Sequence, residues 1–204
     1  MAEVPGTAGY QENAADLIPR YETIPFEVGY AKWLDLLPQT PSNILDIGAG
    51  TGWAAAHLAS KGHHITAVEP TDAFREHGQT THAHDNICWI DDGLPHLSTL
   101  AGHIAAFDVI MMVAVWMHLD LTERSTAMPV VSRLLKDGGI LLMSLRHGPV
   151  PEGRIMYDVS AEETIALAQQ HRLKPIQNVT AASIQERNKR AGVTWSHLAF
   201  RKDT

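Results

Sequence analysis

Asn43-Ile44-Leu45-Asp46-Ile47-Gly48-Ala49-Gly50-Thr51-Gly52-Trp53 is the stretch whose reading decides the fold. Ile44 to Ile47 form a short apolar run of the kind that makes a buried strand, and three glycines at alternate positions follow it directly. Ala54-Ala55-Ala56-His57-Leu58-Ala59 then supplies a good helix start. A strand, a glycine turn and a helix in that order bring backbone against a ligand, because only a residue without a side chain permits so close an approach. A dinucleotide fold calls for Gly-x-Gly-x-x-Gly, which would put its third glycine at position 53, and that position is Trp53. A nicotinamide-binding oxidoreductase is therefore disfavoured.

Strands and helices alternate outward from this unit. Strand 1 is expected over 43–47, its helix over 52–61, and Gly62 closes that helix in a left-handed cap. His64 to Val68 reads as strand 2, and Thr71 can N-cap a short helix. A polar stretch from His77 to Asn86 leads into strand 3 at Ile87 to Ile90, and strand 4 runs from Phe107 to Val113. Thr122 opens a helix to Leu135 that Pro129 is expected to bend. Asp137-Gly138-Gly139 reads as a turn before strand 5 at Ile140 to Leu145. Ser160 and Glu163 form a capping box for a helix to about His171, and strands near 174–180 and 194–200 bracket a polar loop. Alternation of this kind predicts a doubly wound α/β domain with a largely parallel sheet covered on both faces. Ligands of such sheets sit beyond the C-terminal ends of the strands, beside strand 1.

Ahead of this domain, residues 1–9 read as disordered, and 10–37 carry two helical patterns broken near Pro19 and Pro25. The division expected is a helical cap over 1–40 and a catalytic domain over 41–204.

The 204-residue chain is long enough for one full core, and its 45% hydrophobic and 19% charged residues are ordinary for a globular domain. A net charge of −7 argues against tracking a phosphate backbone by bulk electrostatics, so a nucleic-acid partner is not expected. Arg187, Lys189, Arg190, Arg201 and Lys202 could form a local basic patch, although a solvated surface is the plainer reading. Cys88 is the single cysteine and reads as a small buried hydrophobe in strand 3. With no intrachain disulfide possible, no leader-like N-terminus and Val109 to Met117 too short to span a bilayer, a cytoplasmic protein without membrane association is expected. His77, His82 and His84 are near one another, with Asp85 beside them, but in a polar loop without helical i, i+4 pairing. They read as separate surface histidines, and no metal is expected.

The run Asp46-x-Gly48-x-Gly50-x-Gly52 resembles motif I of the Rossmann-like (class I) S-adenosylmethionine-dependent methyltransferases. Phe107-Asp108-Val109-Ile110 and Leu134-Leu135-Lys136-Asp137-Gly138-Gly139 resemble later motifs of that superfamily, the second with Lys136-Asp137 where Lys/Pro is usual. Val115-Trp116-Met117-His118-Leu119 and Ser144-Leu145-Arg146-His147-Gly148-Pro149 are similar to a subset of small bacterial members. The resemblance implies a seven-stranded sheet of order 3-2-1-4-5-7-6 with strand 7 antiparallel. It implies S-adenosylmethionine as methyl donor and S-adenosylhomocysteine as product, by in-line displacement onto an acceptor.

Site residues follow from position in that fold. Gly48, Ala49, Gly50 and Gly52 are expected along the methionine side of the donor, with Glu69 at the end of strand 2 accepting from the ribose hydroxyls. Pro70 and Val113 fall at strand ends beside them, and Asp46 is expected to orient the turn and the donor's amino-acid end. Asp91 or Asp92, with Asp91 favoured, is implied to meet the adenine amino group. Tyr10, Arg20 and Tyr21 could close over the donor from the N-terminal segment, Arg20 meeting its carboxylate. His118 and His147 stand where a base could act. Trp116 could wall the acceptor pocket, and the Arg146 fork matches an anionic acceptor. No Pro-Cys pair and no Asn/Asp-Pro-Pro-aromatic signature is present, so the acceptor expected is a small molecule methylated on oxygen or nitrogen. An RNA- or protein-directed enzyme, or a non-catalytic S-adenosylmethionine sensor, is the alternative. Oligomeric state is not legible.

Overall fold

The structure, a computed structural model, describes residues 4–204. Helix α1 spans Ala14–Glu22 and α2 Phe26–Gly29. There follow β1 (Asn43–Ile47), α3 (Trp53–Ser60), β2 (His64–Val68), α4 (Asp72–Thr81), β3 (Ile87–Ile90) and β4 (Phe107–Met112). Helix α5 (Leu121–Leu134), β5 (Leu135–His147), α6 (Ala161–Gln169), β6 (Leu173–Ala182), α7 (Glu186–Arg190) and β7 (Thr194–Lys202) complete the order.

The seven strands form one sheet in the order β3-β2-β1-β4-β5-β7-β6. Only β7 is antiparallel, to β5 on one side and β6 on the other. This is the architecture the sequence implied. The strands read as apolar runs because both faces are covered. On one face Leu45, Ile47, Ile110 and Met143 pack with Met128 and Val131 of α5 and Ala168 of α6. On the other, Ile44, Val109 and Leu142 pack with Ala55 and Leu58 of α3. Phe26, Tyr30, Trp33 and Leu37 belong to that second core, so α2 and the turns after it share it with the sheet.

Trp53, where a dinucleotide fold keeps glycine, is the dock for α2. Its ring meets Phe26 and Tyr30 edge-on, with centroids 6.0 and 5.8 Å away. Phe26 in turn stacks on His57 at 4.0 Å.

Several local expectations are corrected. Residues 1–3 lie outside the described residues, but 5–7 form a 3-10 turn rather than a disordered lead. That stretch is held down, Val4 lying against Gly93 and Gly6 against His118. Pro19 sits inside α1 instead of breaking it. The carbonyl it leaves unbonded belongs to exposed Ala15, where water can accept the loss. Helix α4 continues to Thr81 through the expected polar stretch, its Thr71 N-cap residue contributing no side-chain bond. Asp120, not Thr122, opens α5, through a reciprocal capping box with Glu123. Strand β5 begins at Leu135, with the Asp137–Gly139 turn absorbed as a register shift against β4. Cys88 is exposed, because β3 is an edge strand. No helix among the described residues is long and apolar enough to cross a membrane.

Candidate active site

The turn after β1 is held open by hydrogen bonds from both sides. Gly48 N and Ala49 N donate to Val68 O of β2 at 2.8 and 3.0 Å. A Cβ on Gly48 would lie 2.5 Å from Val115 Cγ2, so glycine is required for the turn to pass the loop after β4. Gly50 has φ +58°, and a Cβ there would meet nothing within 4 Å. Its bare backbone faces free space, as a cradle for a ligand demands.

Glu69 pins this cradle. Its carboxylate accepts from Gly50 N at 2.8 Å and from Thr71 N at 2.7 Å, joining the glycine turn to the start of α4. A carboxylate has about four acceptor positions, so two remain for ribose hydroxyls. Burial pushes the Glu69 carboxyl up, against the Thr71 and Gly50 amides and Arg75, which favour its charge. Asp46, 3% exposed on β1, is pushed up to about 7 by burial and by the nearby Glu69 charge. A cation entering here would be met by two buried carboxyls.

Arg75 is a residue the sequence reading missed. It donates to Glu69 O at 2.7 Å, pairs with Asp72, and lies 3.4 Å from Asp91. An arginine one turn into α4, at the end of β2, was the available signal. The two candidate adenine acids separate. Asp92 is used up inside its own loop, accepting from Gly93 N and Thr99 N, both at 2.7 Å. Asp91 is exposed and keeps only its Arg75 partner. Pro70 lies beside Gly93 and Val113 packs at the margin of the second core.

The loop after β4 carries His118, 6% exposed. His118 Nδ1 lies 2.6 Å from Ile155 O and Nε2 lies 3.0 Å from the Tyr10 hydroxyl. A carbonyl only accepts, so Nδ1 carries the proton and Nε2 accepts from Tyr10. Burial holds the imidazole below its usual pKa, and Arg154 and Arg146 reinforce this against the Ile155 carbonyl. Burial thus favours the neutral imidazole. Tyr10 also meets Phe74 edge-on at 5.9 Å, and burial pushes its hydroxyl far above the ordinary value.

Arg154, also missed, lies with its guanidinium carbon 3.5 Å over the Tyr10 ring. Its Nη1 is buried without a hydrogen-bond partner. The signal was its place in the loop after β5, at the ligand-bearing end of the sheet. Tyr21 joins this group against Phe74 at 5.9 Å, and burial raises its hydroxyl too.

The other candidates stand differently. Arg146 is near enough to Tyr10 to interact with it, but donates to its own loop at Pro149 O, 2.7 Å away. Arg20 is exposed at the end of α1. Trp116 is fully buried in the first core with its indole N–H unpartnered, so it packs rather than walling an open pocket. His147 bonds Ser196 of β7 at 2.8 Å. Neighbouring strand residues face opposite sides of a sheet, which separates His147 from Arg146.

A family model described as a methyltransferase domain matches residues 45–143. Over that stretch, just under half of its length, the chain is similar to a methyltransferase domain. It is 26% identical over 106 residues to an uncharacterized methyltransferase of Alkaliphilus oremlandii, covering 49% of this chain and 44% of that one. The chain spans roughly half the length of the curated relatives it matches. Among solved structures, the fold is shared with Burkholderia thailandensis 1,6-didemethyltoxoflavin-N1-methyltransferase, bound to 1,6-didemethyltoxoflavin and S-adenosylhomocysteine. The TM-score is 0.75 at 17% identity, over 95% of this chain and 85% of that one. The N-methyltransferase NodS of Bradyrhizobium japonicum, in complex with S-adenosylhomocysteine, gives 0.72 at 21% identity, over 96% and 98%.

The matched methyltransferase domain contains the glycine turn, Glu69, Arg75, Asp91 and His118. Tyr10 and Tyr21 precede it, and Arg146 and Arg154 follow it. The glycine turn and His118 thus lie inside the matched region, and the groups that cover His118 come from flanking segments.

Proposed function

We propose that this chain transfers a methyl group from S-adenosylmethionine to a small-molecule acceptor on oxygen or nitrogen. The observation that carries the reading is the buried roof formed by Tyr10, His118 and Arg154 next to the glycine cradle and Glu69. A compact acceptor need only move Tyr10 aside, whereas a polymer strand would have to displace the whole roof. Two fold neighbours are named for methylation at nitrogen, one holding a small heterocycle, which supports the class without fixing the substrate.

The chain's residues fit the donor. Gly48 to Gly52 give close backbone approach, Glu69 has acceptor capacity left for the ribose, and Asp46 with Glu69 offers negative charge to a cationic amino-acid end. Asp91 is the acid free for the adenine amino group. When bound, the donor would supply a methyl activated on sulfonium: an acceptor attacking in line would take the methyl, and the sulfur would keep the bonding pair as S-adenosylhomocysteine. The protein's share is alignment and exclusion of water. Residues 1–40 act as the cap that closes this space, and 41–204 as the catalytic domain.

His118 is the base when the acceptor must lose a proton. Its Nε2 lone pair is free to take one as soon as Tyr10 gives way to the acceptor, while the Ile155 carbonyl holds the ring orientation and tautomer. Arg154, with its unpartnered Nη1, and Arg146 meet a negative group on the acceptor. His147 is assigned no part.

The test is turnover of methyl-labelled S-adenosylmethionine with fractionated cell extract. Label is expected in the low-molecular-mass fraction. Label entering only RNA or protein overturns the small-molecule acceptor. Binding without turnover in any fraction makes the chain a sensor.

A further inference from the structure

Away from the methyl-transfer site, three potential metal ligands converge from separate parts of the chain. Glu22 is the last residue of α1, His77 lies within α4, and His82 follows the end of α4. His82 Nε2 is 3.0 and 2.9 Å from the two Glu22 carboxylate oxygens, and His77 Nε2 is 3.4 Å from Oε1. One ligand atom from each residue can be chosen so that all lie within 4.8 Å of one another.

An ordinary ion pair does not account for the arrangement. His77 Nε2 is closed off from solvent and has no hydrogen-bond partner. Its Nδ1 faces the Thr81 hydroxyl at 3.4 Å, a contact that can fix the ring with Nε2 as the unprotonated atom. A bare lone pair would then point at a carboxylate. The Thr51 hydroxyl stands next to Glu22 and favours its charge.

We propose that Glu22, His77 and His82 bind a divalent transition-metal ion of the zinc class, which staples α1 to α4. Ligand atoms about 2.0–2.2 Å from zinc in a tetrahedron stand roughly 3.3 Å apart. The nitrogen–oxygen separations here, 2.9 to 3.4 Å, match that spacing. Two imidazoles and one carboxylate suit zinc, whereas magnesium and calcium take oxygen shells. Thr81 on Nδ1 is the outer partner that ligating histidines commonly have. Three protein ligands leave the fourth position to water. The histidines are five residues apart, which would place them on different faces of a regular helix. His82 leaves helical geometry, at φ −115° and ψ 34°, and so returns to the side of His77. That is why sequence spacing gave no metal signal.

The staple would also bear on the roof, since Glu22 adjoins Tyr21 and Thr51 belongs to the glycine turn. Zinc uptake is measured without donor or acceptor, so its outcome is independent of the methyl-transfer reading. The full, untagged chain is stripped with chelator and titrated with Zn²⁺ by calorimetry and with Co²⁺ by visible absorption. One equivalent is expected, with the intense bands of four-coordinate cobalt and a higher Tm. Glu22→Gln, His77→Ala and His82→Ala should each weaken zinc binding by at least about 100-fold, as loss of a direct ligand exceeds loss of an outer-shell partner. His84→Ala, at an exposed position, should not. No uptake of one equivalent, six-coordinate cobalt bands, or wild-type affinity in the histidine variants overturns the site. Should a histidine variant misfold, Glu22→Gln, which keeps the side chain's shape, and the wild-type stoichiometry decide.

Discussion

The Tyr10 hydroxyl donates to His118 Nε2 across 3.0 Å, joining the N-terminal segment to the loop after β4. The bond selects the imidazole tautomer that a base needs and covers the lone pair until an acceptor displaces it. Removing His118 tests this directly. His118→Ala should lower kcat by about 10²–10⁴-fold with S-adenosylhomocysteine affinity intact. Because burial holds this imidazole below the ordinary histidine value of 6.5, wild-type rate should rise with pH through a limb under that value and be flat at neutrality. Tyr10→Phe withdraws a donor that favours the neutral ring, so the limb should move up. Near wild-type turnover in His118→Ala would mean that alignment alone drives transfer.

Glu69 serves both the cradle and the donor. Glu69→Gln should weaken S-adenosylhomocysteine by about 1.5–3 kcal/mol, roughly 10- to 150-fold, for the loss of a charge-assisted hydrogen bond. Calorimetry reads this, and unchanged affinity removes Glu69 from the ribose.

Asp46 should make stability fall with pH. Its folded pKa of about 7 lies above the ordinary aspartate value of 3.8, so between those values the folded state holds a proton that the unfolded chain releases. The carboxyl therefore destabilises progressively as pH rises through that window and no further above it. Asp46→Asn removes the effect, and its stability relative to wild type should improve from pH 4 to 7, by on the order of a few kcal/mol. Denaturant midpoints at a series of pH values that stay parallel for the two proteins would contradict the burial of a titrating group here.

Arg154 separates acceptor from donor. Arg154→Gln should raise the KM for an anionic acceptor about tenfold or more, with S-adenosylhomocysteine affinity unchanged, for loss of one charged hydrogen bond. An unaltered KM confines Arg154 to stacking on Tyr10.

Much of this was legible in the residues, and the reasons differ by element. Asn43 to Ile47 and the glycines carry a strong local signal because backbone sterics leave few alternatives. The order of the sheet needed the family resemblance, since alternation alone does not say where β7 inserts. Glu69 could be placed by its distance from the glycine turn. Arg75 and Arg154 carried only a positional signal at the ligand-bearing end of the sheet, and their partners became visible only in the folded chain. Trp116 and His147 were read from position at a strand end, and the pleat with core packing turned them elsewhere. Cys88 was misjudged because burial of a strand residue depends on whether its strand lies at an edge.

Strand β6 has β7 as its only neighbour in the sheet, and β7 is later in the sequence. During synthesis β6 therefore emerges with nothing to pair with, while β5 stands as a temporary border of the growing sheet. One late segment must fill the gap between them in a single docking event, forming antiparallel ladders on both sides. Until then two unpaired edges, each able to recruit a foreign strand, are open on the nascent molecule.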